Sequence, residues 1–471
     1  MSAPKLAVFG LDCAEPSLVF DRFAADLPTL TGLRNSGLWG KLRSCDPPIT
    51  CPAWMVMVTG RTPGELGIYG FRNRADRSYT GLNLATSTSI KTDTVWDVAG
   101  RAGKNCISFA VPLTFPVKPI RGCQISCWLT PGNDSNFAYP PELKAEINRV
   151  IGPYRPDVKF RVEDKEKLYA DLNETTDNHF AIAQHLLKTK SWDFFMMVEM
   201  GTDRIHHAFW KYFDESHPRH PKGNPQQGWM REYYKKIDAQ LARHIDLLPD
   251  DTWIAVVSDH GIKGMIGGIF FNEWLANEGY LTLKERAPQK EQIGKAKIDW
   301  SKTKAWGDGG YYGRLFLNVR GREPEGIVAP EEVEGLRREL KDKLEALADE
   351  QGKNIGTRVL YPEKIYPKVE GFAPDLIVYF GDLAWRSMGT IGGPDKTIYT
   401  YENDTGPDDA NHAPDGMLIL TNKRRFTSGQ TGPGERQGMK IHDCAKTYLK
   451  LLGVEPSVQI GGTAIDLTGL G

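Results

Sequence analysis

Apolar residues fall along this chain in two rhythms. Runs such as "KLAVFGLD" (5–12), "NCISFAVP" (105–112), "WDFFMMVEM" (192–200), "TWIAVVSD" (252–259), "PDLIVYF" (374–380) and "GMLILT" (416–421) are nearly continuous in apolar residues. That is the pattern of short strands buried on both faces. Between them apolar positions recur three and four apart, the spacing of a helix with one buried side. Residues 16–37 place Leu18, Val19, Phe23, Leu27 and Leu33 that way, and residues 227–248 place Trp229, Tyr233, Ile237, Leu241 and Ile245. Helices are predicted likewise over 52–59, 94–104, 166–190, 330–351 and 440–453. Strands alternating with helices predict an α/β fold, a doubly wound and mostly parallel sheet with helices on both faces. Residues 113–165, rich in Pro and Gly, and the irregular residues 262–329 break the alternation. They read as insertions over one sheet edge, a lid on a single catalytic domain spanning 1–471.

Bulk composition narrows the function classes. Lys plus Arg number 59 and Asp plus Glu 60, a net charge of -1, so no stable nucleic-acid partner is expected. No apolar run reaches the length of a membrane span. The opening "MSAPKLAVFGLD" lacks a basic segment followed by a long apolar one, so no signal peptide is expected. The seven cysteines, at 13, 45, 51, 106, 123, 127 and 444, form no disulfide pattern. These features point to a reduced, cytoplasmic protein.

The candidate chemistry lies at the strand ends, where ligands bind in open α/β sheets. The first strand ends in Asp12; the 192–200 run is followed by Asp203 and His207; the 252–259 run ends in Asp259 and His260; and His412 precedes the 416–421 run. A strand-end Asp alone is often a helix cap. Asp203 and His207 share one helical face by their i,i+4 spacing, and Gly261 frees the backbone after "SDH". Together, three Asp and three His suit zinc, or less specifically manganese or iron. Six ligands exceed the need of one ion, so two are implied, and two-metal sites suit phosphoryl chemistry. A nucleophile is then expected at a helix N-terminus, where the dipole favours phosphoryl oxygens. "DPPITCPAW" (46–54) offers Thr50 or Cys51 there.

These residues, with "VTGRTPGELGI" (58–68), "NHAPDG" (411–416) and the closing "IHDCAKTYLKLLGVEPSVQIGGTAIDL" (441–467), resemble the type I phosphodiesterase/nucleotide pyrophosphatase family of the alkaline phosphatase superfamily. The resemblance implies an alkaline-phosphatase-like fold and a metal-dependent phosphoric ester hydrolase. It implies Thr50 as nucleophile, a phospho-threonine intermediate, and two divalent ions, zinc foremost. Asp12, Asp259 and His260 would hold the ion that touches Thr50; Asp203, His207 and His412 would hold the other. The substrate implied is a small phosphate ester such as a nucleotide. Phosphomonoesterase, phosphonate hydrolase and a non-catalytic metal-dependent binding protein are the alternatives.

Cys51 lacks the downstream Arg that a sulfatase needs, with Met55 in its place, and reads as packing. One position departs from the family. Where an Asn holds a phosphoryl oxygen, twenty-one residues past the Thr, stands Phe71, with Asn73 nearby but out of register. Trp54, Tyr69, Phe71, Tyr311 and Tyr312 are candidates for an aromatic substrate wall, core packing being the plainer reading of each. His206 and Arg314 are candidate substrate contacts.

Overall fold

A computed structural model describes residues 4–470. Its spine is a ten-stranded mixed sheet. Strands Trp253–Val257, Leu6–Leu11, Phe194–Glu199, Cys106–Phe109 and Gly122–Ile125 lie side by side and parallel in that order. Asp415–Asn422 closes one flank antiparallel to Trp253–Val257 and to Leu38–Arg43. Successive side chains of a strand face opposite ways. Ala7, Phe9 and Leu11 therefore enter one core with helices Pro28–Ser36, Lys165–Thr189, Gly201–Phe213 and Trp229–Asp246. Leu6 and Val8 enter the other, with helices Thr50–Thr59, Val95–Arg101 and Cys444–Leu451. This is the expected doubly wound arrangement. All seven cysteines are buried and unbridged. Among the described residues no helix is long and apolar enough to cross a membrane.

Three sequence expectations need correction. The helix expected over 16–37 is broken into a π turn at Leu18–Arg22, a short 3-10 turn and a helix starting at Pro28. A residue before proline is driven out of helical geometry, and Leu27 sits at φ -118, ψ 67. The 374–380 run forms Leu376–Tyr379, which pairs antiparallel with Gly313–Leu317 and Arg358–Leu360 in a separate four-stranded sheet. Residues 113–165 are not wholly an insertion, since Gly122–Ile125 is a parallel strand of the main sheet.

The second sheet has its own apolar core, from Ile269, Phe271 and Trp274 to Leu376, Val378 and Ile391. This unit extends well past residue 329. A smaller group, with Tyr69, Tyr311, Tyr312, Tyr366 and Tyr379 around Ile49, joins it to the loop before Thr50.

Candidate active site

The parallel register brings the strand-end residues together. Leu11 pairs with Glu199 and Gly10 with Val257, so Asp12, the helix from Gly201 and the Ser258–His260 turn emerge adjacent. Asp203 and His207 lie in the first two turns of the Gly201–Phe213 helix, on one face. His412 arrives from the antiparallel pair Gly261–Gly264 and Ala410–Ala413, opposite Ile262. Two clusters result, Asp12 with Asp259 and His260, and Asp203 with His207 and His412, each with its donor atoms within 4.8 Å of one another. All six residues are buried. The clusters adjoin, since the His260 and His412 rings stack at 3.9 Å.

Each ligand candidate is oriented by a bond to its far side. Asp12 Oδ2 accepts from Trp54 Nε1 at 2.6 Å, Asp259 Oδ1 from the Cys13 N–H at 3.1 Å, and Asp203 Oδ2 from Arg204 Nη1 at 2.6 Å. The other oxygen of each, Asp12 Oδ1, Asp259 Oδ2 and Asp203 Oδ1, is buried without a hydrogen-bond donor. The histidines follow the same rule. Nδ1 of His207 meets Asp408 Oδ1 at 2.8 Å, Nδ1 of His412 the Pro48 carbonyl at 2.7 Å, and Nδ1 of His260 the Gly261 carbonyl at 3.1 Å. Carbonyl and carboxylate acceptors place the ring proton on Nδ1 and leave the Nε2 lone pair facing inward. Three orphaned carboxylate oxygens beside three Nε2 lone pairs fit divalent cations, with outer partners of the kind that orient metal ligands.

The electrostatics differ between the two clusters: burial raises Asp12 and Asp259, while His207 and Arg204 outweigh burial and lower Asp203. Burial, then the Asp259 and Asp203 carboxylates, hold Asp12 well above the usual carboxylate range. Burial likewise raises Asp259, with the Cys13 N–H opposing and Asp203 adding. Burial pulls His207 down, but Asp408 and Asp203 outweigh it and raise it to about 9, so an ion bound there would displace its Nε2 proton. Burial lowers His260 to about 4 and, with the neighbouring His260 and His207, puts His412 well below its ordinary range. Carboxylates so crowded call for positive charge between them.

Thr50 is the first residue of its helix, and its Oγ1 lies 3.3 Å from His260 Nε2. The first turn of a helix leaves backbone N–H groups unpaired, and Pro52, two residues on, has none to leave. Cys51 is fully buried in the core that holds Leu6 and Val8, and burial pushes its thiol up. A protonated thiol is a weak nucleophile.

Several sequence candidates stand elsewhere than expected. Trp54 forms no substrate wall, being fully buried and reaching under the sheet end to Asp12. Gly10 makes that possible, because a Cβ there would lie 2.5 Å from the Trp54 ring. His206 points away into the core, where Nε2 meets the Tyr234 hydroxyl at 3.1 Å, because its neighbour His207 takes the site-facing side of the helix. Asn73 braces the turn before it, accepting from the Tyr69 N–H at 2.8 Å and donating to the Gly70 carbonyl at 3.1 Å. Arg314 is engaged by Asp308 and the Arg72 carbonyl. Tyr69 donates to the Glu370 carbonyl.

Phe71 and Tyr311 do line a cavity of about 360 Å3 that opens beside the site. Tyr311 lies against His207 at 4.9 Å and His412 at 4.4 Å between ring centres. Sequence reasoning missed Asp408, Arg204 and Arg161. Asp408 bonds His207, Arg204 bonds Asp203, and Arg161 bonds both Asp408 and the Tyr311 hydroxyl. The adjacency of Arg204 to Asp203 was visible, but nothing local marked Asp408 or Arg161.

Comparison with known proteins accords with this geometry. Human ectonucleotide pyrophosphatase / phosphodiesterase 5 shares 13% identity and superposes with a TM-score of 0.54 over 97% of both chains. Phosphonoacetate hydrolase from Sinorhizobium meliloti 1021, solved with phosphonoformate, shares 16% identity and superposes with a TM-score of 0.59 over 96% of each chain. Both likenesses are of fold. GPI ethanolamine phosphate transferase 2 from Candida glabrata is 25% identical over 295 residues, 61% of this chain. That alignment spans 30% of the transferase's own length. The profile of type I phosphodiesterase / nucleotide pyrophosphatase sequences matches residues 6–408. That stretch contains Asp12, Thr50, Asp203, His207, Asp259 and His260 on one sheet edge, and the chain belongs to the type I phosphodiesterase / nucleotide pyrophosphatase family, a family of phosphoric ester hydrolases.

Proposed function

We propose that this protein is a metal-dependent phosphodiesterase or nucleotide pyrophosphatase in which Thr50 is the nucleophile and Asp12, Asp203, His207, Asp259, His260 and His412 hold two divalent ions. The observation that carries this reading is the Thr50 hydroxyl, 3.3 Å from His260 Nε2 at the mouth of a buried helix and beside two clusters of inward-facing donors. The mixed nitrogen and oxygen donor set favours zinc, with manganese or iron as alternatives. Ions held there supply positive charge to phosphoryl oxygens and make hydroxyl and water oxygens more acidic.

The chain's own residues do the rest. Thr50 Oγ1 attacks phosphorus in line, and its proton leaves with the departing alcohol or phosphate. The Oγ1–P bond forms as the bond from phosphorus to the leaving alcohol or phosphate breaks. Free N–H groups of the helix's first turn hold a non-bridging oxygen in place. Water then attacks the same phosphorus, the Oγ1–P bond breaks, and Thr50 takes back a proton. Asp408, Arg204 and Trp54 keep His207, Asp203 and Asp12 aimed throughout. Tyr311 covers His207 and His412 and restricts water, a lid-like role for the second sheet unit.

The test is acid-quench trapping with a labelled aryl phosphodiester. Label should appear on the Thr50 peptide of the wild-type protein and vanish in Thr50→Ala, which should retain its metal. Label on Cys51, or undiminished turnover by Thr50→Ala, sinks this assignment.

A further inference from the structure

The cavity beside the site is electrostatically one-sided. Four arginines, Arg72, Arg161, Arg314 and Arg386, line it, and no carboxylate does. Phe71 and Trp128, edge to face at 5.5 Å, supply its apolar wall. It shares Arg72, Arg314 and Arg386 with a second cavity of about 450 Å3, which Asp308 and Asp404 also line, so Arg386 stands between the two.

The arginines differ in what they already hold. Arg161 is engaged at each of its three nitrogens, by Asp408, Thr405 and the Tyr311 hydroxyl. Arg314 is held by Asp308 and a backbone carbonyl. Arg72 is solvent-exposed. Arg386 is 7% exposed, yet its Nε and Nη1 have no hydrogen-bond acceptor. Only its Nη2 is engaged, by Thr405 Oγ1 at 3.2 Å. Its nearest carboxylate, Asp408 Oδ2, lies 3.5 Å from Nη1 and is shared with Arg161 at 2.9 Å and Tyr311 at 3.2 Å. Asp404 is at 4.0 Å. One buried carboxylate thus faces two guanidiniums and the His207 ring. Burial, then the neighbouring Arg161 charge, depress the Arg386 guanidinium, and Tyr311, Asp408 and Asp404 offset them only in part. A buried charge only partly compensated is costly, and the unused N–H groups of Nε and Nη1, which face different sides of the guanidinium, can each donate to an oxyanion.

The geometry points to Arg386 as a subsite for a second anionic group on the substrate, so that the preferred phosphoric ester carries a further oxyanion, phosphate or carboxylate, on the arm lying between Phe71, Trp128 and Tyr311. Arg161, already engaged at each nitrogen, positions this subsite through Thr405, whose hydroxyl both arginines use, and by adding positive charge. The inference rests on the phosphoryl site proposed above and names what lies beside it.

Calorimetric titration of zinc-loaded protein tests it directly. The probes are alkyl monophosphates of equal chain length ending in a methyl, a carboxylate or a phosphate group. Charge-assisted bonds to one guanidinium predict about 10- to 100-fold tighter binding of the doubly anionic probes. The ratio between carboxylate- and phosphate-ended probes identifies the second group. Arg386→Gln should remove most of the advantage, and Arg386→Lys should keep part of it. Equal affinities of the wild-type protein for all three probes overturn the inference, whatever the variants do. So does an advantage that persists in a folded Arg386→Gln protein. Turnover of a 4-nitrophenyl phosphodiester by the same preparation is read separately. Its absence counts against the hydrolase assignment, while the binding ratios alone decide the subsite.

Discussion

Trp54→Phe separates two roles for one aromatic residue. If Trp54 lined a substrate wall, its loss would raise KM for esters with flat leaving groups and spare the rest. The structure gives it another task, since its Nε1–H is the donor to Asp12 Oδ2, at 2.6 Å in a fully buried setting. Phe keeps an aromatic ring but has no donor. A hydrogen bond to a charged group contributes ~1.5–3 kcal/mol, equivalent to about 10- to 150-fold in an equilibrium constant. Part of that loss should appear as weaker metal binding, because losing a ligand's outer partner typically lowers affinity about 10- to 100-fold. The smaller ring also opens a void against Gly10, costing ~1 kcal/mol of stability. The assay is zinc titration in metal buffers, followed by metal content and by the rise in melting temperature that bound metal produces. Zinc affinity should fall and kcat should fall by a similar factor on all substrates, with KM little changed. Unaltered zinc affinity together with a KM effect confined to aromatic esters would refute the assignment of Trp54 to Asp12.

Asp408→Asn should weaken metal retention by about 10- to 100-fold, because His207 Nδ1 loses a charged acceptor at 2.8 Å; equilibrium dialysis reads it. Arg204→Met should destabilise the fold by ~3–5 kcal/mol, measured by urea denaturation, since it strips the buried Asp203 and the partly buried Asp157 of their shared partner. His179, buried against Glu199 at 3.2 Å, is raised above its ordinary value, burial opposing and the Glu199 carboxylate prevailing. A raised histidine stabilises fully below about 6.5 and loses that contribution as pH climbs through its folded value. Urea midpoints should therefore fall as pH rises above about 6.5, and His179→Gln should flatten that slope; an unchanged slope counts against the pair.

The sequence by itself determined the alternation of strand and helix, because near-continuous apolar runs such as 194–199 can only be buried strands between helices. It also marked the six candidate metal ligands, since Asp12, Asp203, His207, Asp259 and His260 follow strand ends that parallel register aligns and His412 shortly precedes the Asp415–Asn422 strand. Thr50 over Cys51 came from the motif, and the burial of Cys51 in the core accords with it. What the tertiary structure decided are matters of direction. Trp54, His206 and Asn73 lie near the site in sequence, yet they turn to Asp12, Tyr234 and a local turn, because helix face and backbone hydrogen bonding set where a side chain points. Asp408, Arg161 and Arg386 carry no local signature. They come from loops and from the Trp385–Met388 strand of a three-stranded sheet, and only packing brings those to one carboxylate beside His207. Periodicity reports which residues face a core, and it is silent on which distant charges meet there.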